Sequence, residues 1–116
     1  EGWSRGERPV ETLTGDKDVF GDGSVVMLAV PGHTPGSYAL LARLPRTGPV
    51  LLGGDAAIFG EQLADGEVPS FNADRARSVA SMQRLQAIAQ RLGARFVLQH
   101  DPDAIGLLPA FPACAR

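Results

Sequence analysis

Three residues able to ligate a metal each stand just past a short apolar run: His33 after Ser24–Val30 (SVVMLAV), Asp55 after Val50–Leu52, and His100 after Arg95–Gln99 (RFVLQ). Imidazole nitrogens and a carboxylate are the donor set that suits a divalent ion of the zinc type. A rigid sheet can hold side chains at strand ends in fixed geometry while loops leave them accessible. Taken singly, either histidine reads as an ordinary hydrogen-bonded residue, and an aspartate after two glycines as a turn residue. Their repetition at one kind of place outweighs each single reading.

The backbone around His33 is over-determined by Pro31-Gly32-His33-Thr34-Pro35-Gly36. Pro35 biases Thr34 toward an extended conformation, and Gly32 and Gly36 can take dihedrals closed to other residues. Such rigidity suits a preorganised ligand, the competing reading being a tight turn with an incidental histidine. Gly53-Gly54 before Asp55 removes side chains where another backbone or a metal must approach closely. Asp101, beside His100, either orients a ligand histidine or begins a turn before Pro102.

The elements that must carry these residues follow from the apolar pattern. Residues 1–23 form a polar irregular lead-in rich in Gly and Asp, with little to give a core. Ser24–Val30 predicts a buried strand stopped by Pro31-Gly32, and Tyr38–Leu44 and Val50–Leu52 two more around a Pro45–Pro49 turn, an antiparallel hairpin. Ala56–Phe71 shows no period and predicts a long loop of the kind that often carries function. From Ala73 to Leu92, Ala76, Val79, Met82, Leu85, Ile88, Ala89 and Leu92 recur at three- and four-residue steps and predict a helix with one buried face. Asn72 or Asp74 can cap its start and Gly93 its end, while Arg77, Arg84 and Arg91 mark a solvated face. Arg95–Gln99 predicts a fourth strand, and a short helix is expected around Ala104–Leu108.

Composition narrows the class. The 116 residues suffice for one small domain, 44% hydrophobic and 21% charged, which matches a globular chain. The net charge of −2 with scattered arginines offers no face to nucleic acid. No apolar run approaches the roughly 18 residues a spanning helix needs, so a soluble cytoplasmic or periplasmic protein without membrane insertion is expected. Cys114 is the single cysteine and excludes a disulfide within the chain. The start at Glu1 rather than methionine suggests a chain processed, truncated or cut from something longer.

PGHTPGS at 31–37, GGDA at 53–56 and QHDPD at 99–103, in this order with a hairpin and a helix between them, resemble the metallo-β-lactamase superfamily. Within it, VPSFNADRARSVASMQRL at 68–85 resembles the bacterial, quorum-quenching N-acyl-homoserine lactone hydrolases. The resemblance covers roughly Asp22 to Asp103. It implies an α+β fold, the C-terminal half of an αββα sandwich, so that residues 1–116 are a partial domain whose N-terminal H-x-H-x-D-H half is absent. It implies that His33 completes a first zinc site, that Asp55 bridges two zinc ions, and that His100 completes the second. The chain's only histidines are these two, so the other ligands are expected upstream or on another chain.

For the complete site the resemblance implies a hydroxide shared by two Zn²⁺ ions, which opens a lactone or ester carbonyl. The 116-residue chain alone is then expected to be inactive, with the N-terminal half as its partner and a small lactone or ester as substrate. Several lactonases carry a tyrosine three residues after the bridging aspartate, where this chain has Ile58. Ser37 stands where lactonases often carry histidine, a pattern shared with glyoxalase-II-like thioesterases, the alternative enzyme reading. A non-catalytic half-domain or truncated product that needs a partner half is the alternative outside enzymes.

Overall fold

A computed structural model describes residues 9–56, 74–110 and 112–116. Five strands form one sheet in the order of the chain: β1 (Lys17–Asp18), β2 (Val25–Ala29), β3 (Tyr38–Leu44), β4 (Gly48–Leu52) and β5 (Arg95–Val97). The first four run antiparallel to one another in succession, and β5 lies parallel to β4. A parallel pair needs a long crossover, and here helix α1 (Arg75–Leu92) lies within it. Over the described residues the chain is thus α+β, one sheet with one long helix on it, as the resemblance implies.

The pleat sorts the side chains. In β3, Ala39 and Leu41 are buried and join Leu28, Val30, Leu51 and Ala56 against Leu85 and Ala89 of the helix. Leu51 and Leu85 are both 0% exposed and form the centre of this layer. Met82 and Leu98 form a smaller cluster with Val79 and Phe96. The alternate residues Tyr38, Leu40, Leu52 and Val97 point to the other face of the sheet, where with Gly54 and Gln99 they line an open concavity of about 360 Å³. Leu40 pairs with Leu52, and Leu52 with Val97, so this second apolar surface crosses three strands.

Helix α1 begins at the predicted aspartate: Asp74 is extended and its side chain accepts from the Arg77 backbone N–H at 3.0 Å. It ends with Gly93 at φ 60°, whose N–H bonds back to the last turn. The other proposed cap, Asn72, and most of the expected 56–71 loop, including Ile58, lie outside the described residues. The buried face is the predicted one except at Ala76, which is exposed, and it also takes in Ser78 and Ser81. The apolar period finds Met82, Leu85 and Ala89 but passes over serines that serve as hydrogen-bond donors.

Four further expectations are met in part. Residues 1–23 are not wholly irregular, since Lys17–Asp18 pairs with Val26–Met27 and adds a fifth strand. The hairpin turn is three residues, Pro45–Thr47, and Pro49 is within β4 opposite Arg43. Proline is tolerated there because the pairing with β5 starts only at Val50, so no ladder donor is missing on that side. The fourth predicted strand ends at Val97, and Gln99 and His100 form a turn. In the tail the short helix is a 3₁₀ segment over Pro102–Leu107.

Candidate functional site

The three predicted residues come together. His33 Nε2 is 3.7 Å from Asp55 Oδ2, and His100 Nε2 is 3.2 Å from Asp55 Oδ1. The two imidazoles therefore address different oxygens of one carboxylate. All three side chains reach solvent, at 27%, 43% and 51% exposure for His33, Asp55 and His100. Asp55 holds φ −91° and ψ 16°, the sparsely populated bridge region in which active-site residues are often found.

The sequence around each residue explains its position. The loop carrying His33 is closed by its own polar groups: Val30 N–H donates to Ser37 O at 2.9 Å, and Thr34 N–H to Ser37 Oγ at 3.2 Å. The Thr34 and Ser37 hydroxyls are paired at 2.8 Å. Ser37 thus has a loop-closing role that its sequence position did not disclose. Gly32 is at φ +147°, and a Cβ there would lie 2.4 Å from Ser78 Oγ, so this loop is pressed directly onto α1. Of the two glycines able to take dihedrals closed to other residues, Gly32 uses that freedom and Gly36, with no positive φ, does not.

At Asp55 the glycines admit protein neighbours. A Cβ on Gly53 would come 2.9 Å from the Phe96 ring, and one on Gly54, at φ +58°, would come 3.1 Å from the Tyr38 carbonyl. Gly53 N–H donates to Val97 O at 3.0 Å, tying the end of β4 to β5. Asp101 follows the turn reading: its side chain accepts from Asp103 N–H at 2.9 Å and caps the 3₁₀ segment that follows His100.

Arg84 is exposed, as expected, and from there donates Nη1 to Asp16 Oδ1 at 3.2 Å and to the Ala29 carbonyl at 2.9 Å, while Nη2 pairs with Asp16 Oδ2. Asp16 Oδ1 also accepts from Ala29 N–H at 2.9 Å. The Arg84 hydrogen bond holds the Asp16 carboxyl below its ordinary pKa. Neither Asp16 nor Ser81 was singled out by sequence; a serine amid the apolar stripe of α1 is the signal that could have found the latter.

The donors fit a metal of the zinc type. Two ligand atoms each about 2.1 Å from one tetrahedral ion stand about 3.4 Å apart, and the two histidine–carboxylate distances bracket that value. Among the described residues no group of three or more His, Cys, Asp or Glu is set to hold a metal by itself. The arrangement is two histidine–oxygen pairs rather than one three-ligand site.

No family model matches the chain. It is 42% identical over 87 residues to the N-acyl homoserine lactonase AttM of Azorhizobium caulinodans, covering 75% of this chain and 33% of that protein. To an N-acyl homoserine lactonase of a Bacillus species it is 35% identical over 100 residues, covering 83% and 40%. Among solved structures, an N-acyl homoserine lactone hydrolase with the product N-hexanoyl-L-homoserine bound at its catalytic metal center superposes with a TM-score of 0.76 at 29% identity, covering 88% of this chain and 40% of that one. The chain spans about a third to two-fifths of the length of the curated relatives it matches. Over the stretch it spans, the chain is similar in sequence and in fold to the N-acyl homoserine lactonases, which is consistent with the resemblance of its motifs to the metallo-β-lactamase superfamily.

Proposed function

We propose that this chain is the C-terminal half of a zinc-dependent lactonase that opens N-acyl-homoserine lactones, and that His33, Asp55 and His100 are its share of a two-metal site. The observation that carries the reading is the carboxylate of Asp55, with one imidazole nitrogen at each oxygen. A side chain so placed can serve two ions at once, with His33 on one and His100 on the other. Zinc, when bound, supplies a water-derived nucleophile at neutral pH and polarises the scissile carbonyl. The chain's own part is to hold two imidazoles and a carboxylate at the ends of β2, β4 and β5, at the edge of one sheet.

Incompleteness supports the two-half reading. The only histidines are the two in the site, and the chain covers only a third of its AttM relative. Among the described residues the second apolar face of the sheet, around Tyr38, Leu40, Leu52 and Val97, has no covering layer, and a second sheet from the rest of the protein would bury it. The name shared by the relatives favours lactones over the thioesters of the alternative reading. Ser37, which prompted that alternative, engages its hydroxyl with Thr34 within the loop.

The test is kcat/KM of the full-length protein on an N-acyl-homoserine lactone and on a glutathione thioester, with and without chelator. Chelator-sensitive turnover that favours the lactone is expected. Preference for the thioester would overturn the substrate assignment, and turnover by residues 1–116 alone would overturn the two-half reading.

A further inference from the structure

From the end of β2 to the residue before His33, three backbone carbonyls accept hydrogen bonds from a single helix. Arg84 Nη1 donates to Ala29 O at 2.9 Å, Ser81 Oγ to Pro31 O at 2.7 Å, and Asp74 N–H to Gly32 O at 3.0 Å. These donors come from the N-cap and the first three turns of α1, and Ser81 lies 50 residues beyond Pro31 in the chain. The loop enters the site suspended from the helix.

Ser81 is the instructive member. It is 6% exposed, within the stripe that also carries Met82 and Leu85, where alanine would favour the helix and bury no hydroxyl. Its neighbour Ser78 bonds back to Asp74 O four residues earlier, the usual outlet for a helical serine. Ser81 instead reaches out of its helix to a carbonyl two residues before His33. Arg84 continues the same line one turn on, braced by Asp16, which itself holds Ala29 N–H. Both backbone polar groups of Ala29 are thereby held by one ion pair.

We infer that Ser81, supported by Arg84, is a positioning residue that fixes the His33 loop relative to Asp55, so that the imidazole is ordered before a metal arrives. The inference rests on the proposed role of His33 as a ligand. Loss of a partner that orients a ligand commonly weakens metal binding by about 10- to 100-fold, because the ordering must then be supplied by the metal. A purely structural serine would lower stability everywhere alike.

The experiment compares wild type, Ser81→Ala, Ser81→Thr and Arg84→Met in the full-length protein, first without metal. In Ser81→Ala, amide hydrogen exchange over 30–34 should quicken by about tenfold or more while 48–52 changes by less than about twofold. Ser81→Thr, which keeps the hydroxyl, should restore protection. Arg84→Met should quicken exchange over 29–33 by a smaller factor. Zinc competition with a chromophoric chelator should then show one binding step of Ser81→Ala weakened by about tenfold or more and the other retained.

Uniform acceleration across the sheet, unchanged protection over 30–34, or equal behaviour of the alanine and threonine variants overturns the inference. So does an unchanged zinc profile in Ser81→Ala when His33→Ala loses one step. If Ser81→Ala does not fold, Arg84→Met decides, since Arg84 is 40% exposed and its loss leaves the core intact. If His33→Ala keeps both zinc steps, the ligand assignment fails by itself, and metal-free exchange still decides whether Ser81 orders the loop.

Discussion

Gly32 lies against Ser78 so closely that a Cβ at position 32 would stand 2.4 Å from the Ser78 Oγ and 2.5 Å from its Cα and N. Backbone atoms of a helix cannot yield as a flexible side chain would, and φ of +147° is closed to other residues. Gly32→Ala should therefore cost about 2–5 kcal/mol from strain and overpacking together. Gly36→Ala, with nothing near and no positive φ, should stay within about 0.5 kcal/mol of wild type. Urea denaturation of the two variants checks this, and equal midpoints would show that the loop does not rest on the helix.

Leu52 tests whether the second face of the sheet is covered. It is 37% exposed in this chain, so its truncation should matter little unless another layer packs on it. In the full-length protein Leu52→Ala is expected to cost about 2 kcal/mol or more, the scale of a buried leucine, as Leu85→Ala should. A loss of about 1 kcal/mol or less at Leu52, measured by denaturation, would mean that the face remains open.

The ion pair of Asp16 with Arg84 sets a pH dependence. Because the Arg84 hydrogen bond lowers the folded-state pKa of Asp16, its contribution is complete above the ordinary carboxylate range near 3.9 and is lost as pH falls through the lowered value. Asp16→Asn should therefore lower stability at neutral pH and bring the variant closer to wild type in acid. Both side chains are about two-fifths exposed, so added salt should shrink the difference. Thermal unfolding of the two proteins from pH 7 to pH 2 measures it; parallel curves would show that the pair contributes nothing.

Much of this arrangement is legible in sequence because two periodicities carry it. The apolar runs ending at Val30, Leu52 and Leu98 locate the strands, the Gly and Pro residues locate the turns, and Asp74 and Gly93 bound the helix. What escapes is long-range hydrogen bonding by residues whose local signal is bland. Ser81 interrupts the stripe of α1 and Arg84 reads as solvated, yet they bond to β2 and its loop across 50 and 55 residues of chain. The strand at Lys17–Asp18 escapes for the same reason: two polar residues have no period, and their pairing with Val26 and Met27 is fixed by the neighbouring strand.

Zinc content separates the roles of the three site residues most directly. His33 and His100 each face one oxygen of Asp55, so each is assigned to one ion and Asp55 to both. In the full-length protein, loaded with zinc and freed of excess, Asp55→Ala should lose metal at both positions, whereas His33→Ala and His100→Ala should each lose mainly one. Metal per chain, counted alongside thermal unfolding to confirm that each variant is folded, gives the answer. A folded Asp55→Ala protein with the zinc content and turnover of wild type would contradict the bridging assignment and, with it, the two-metal account.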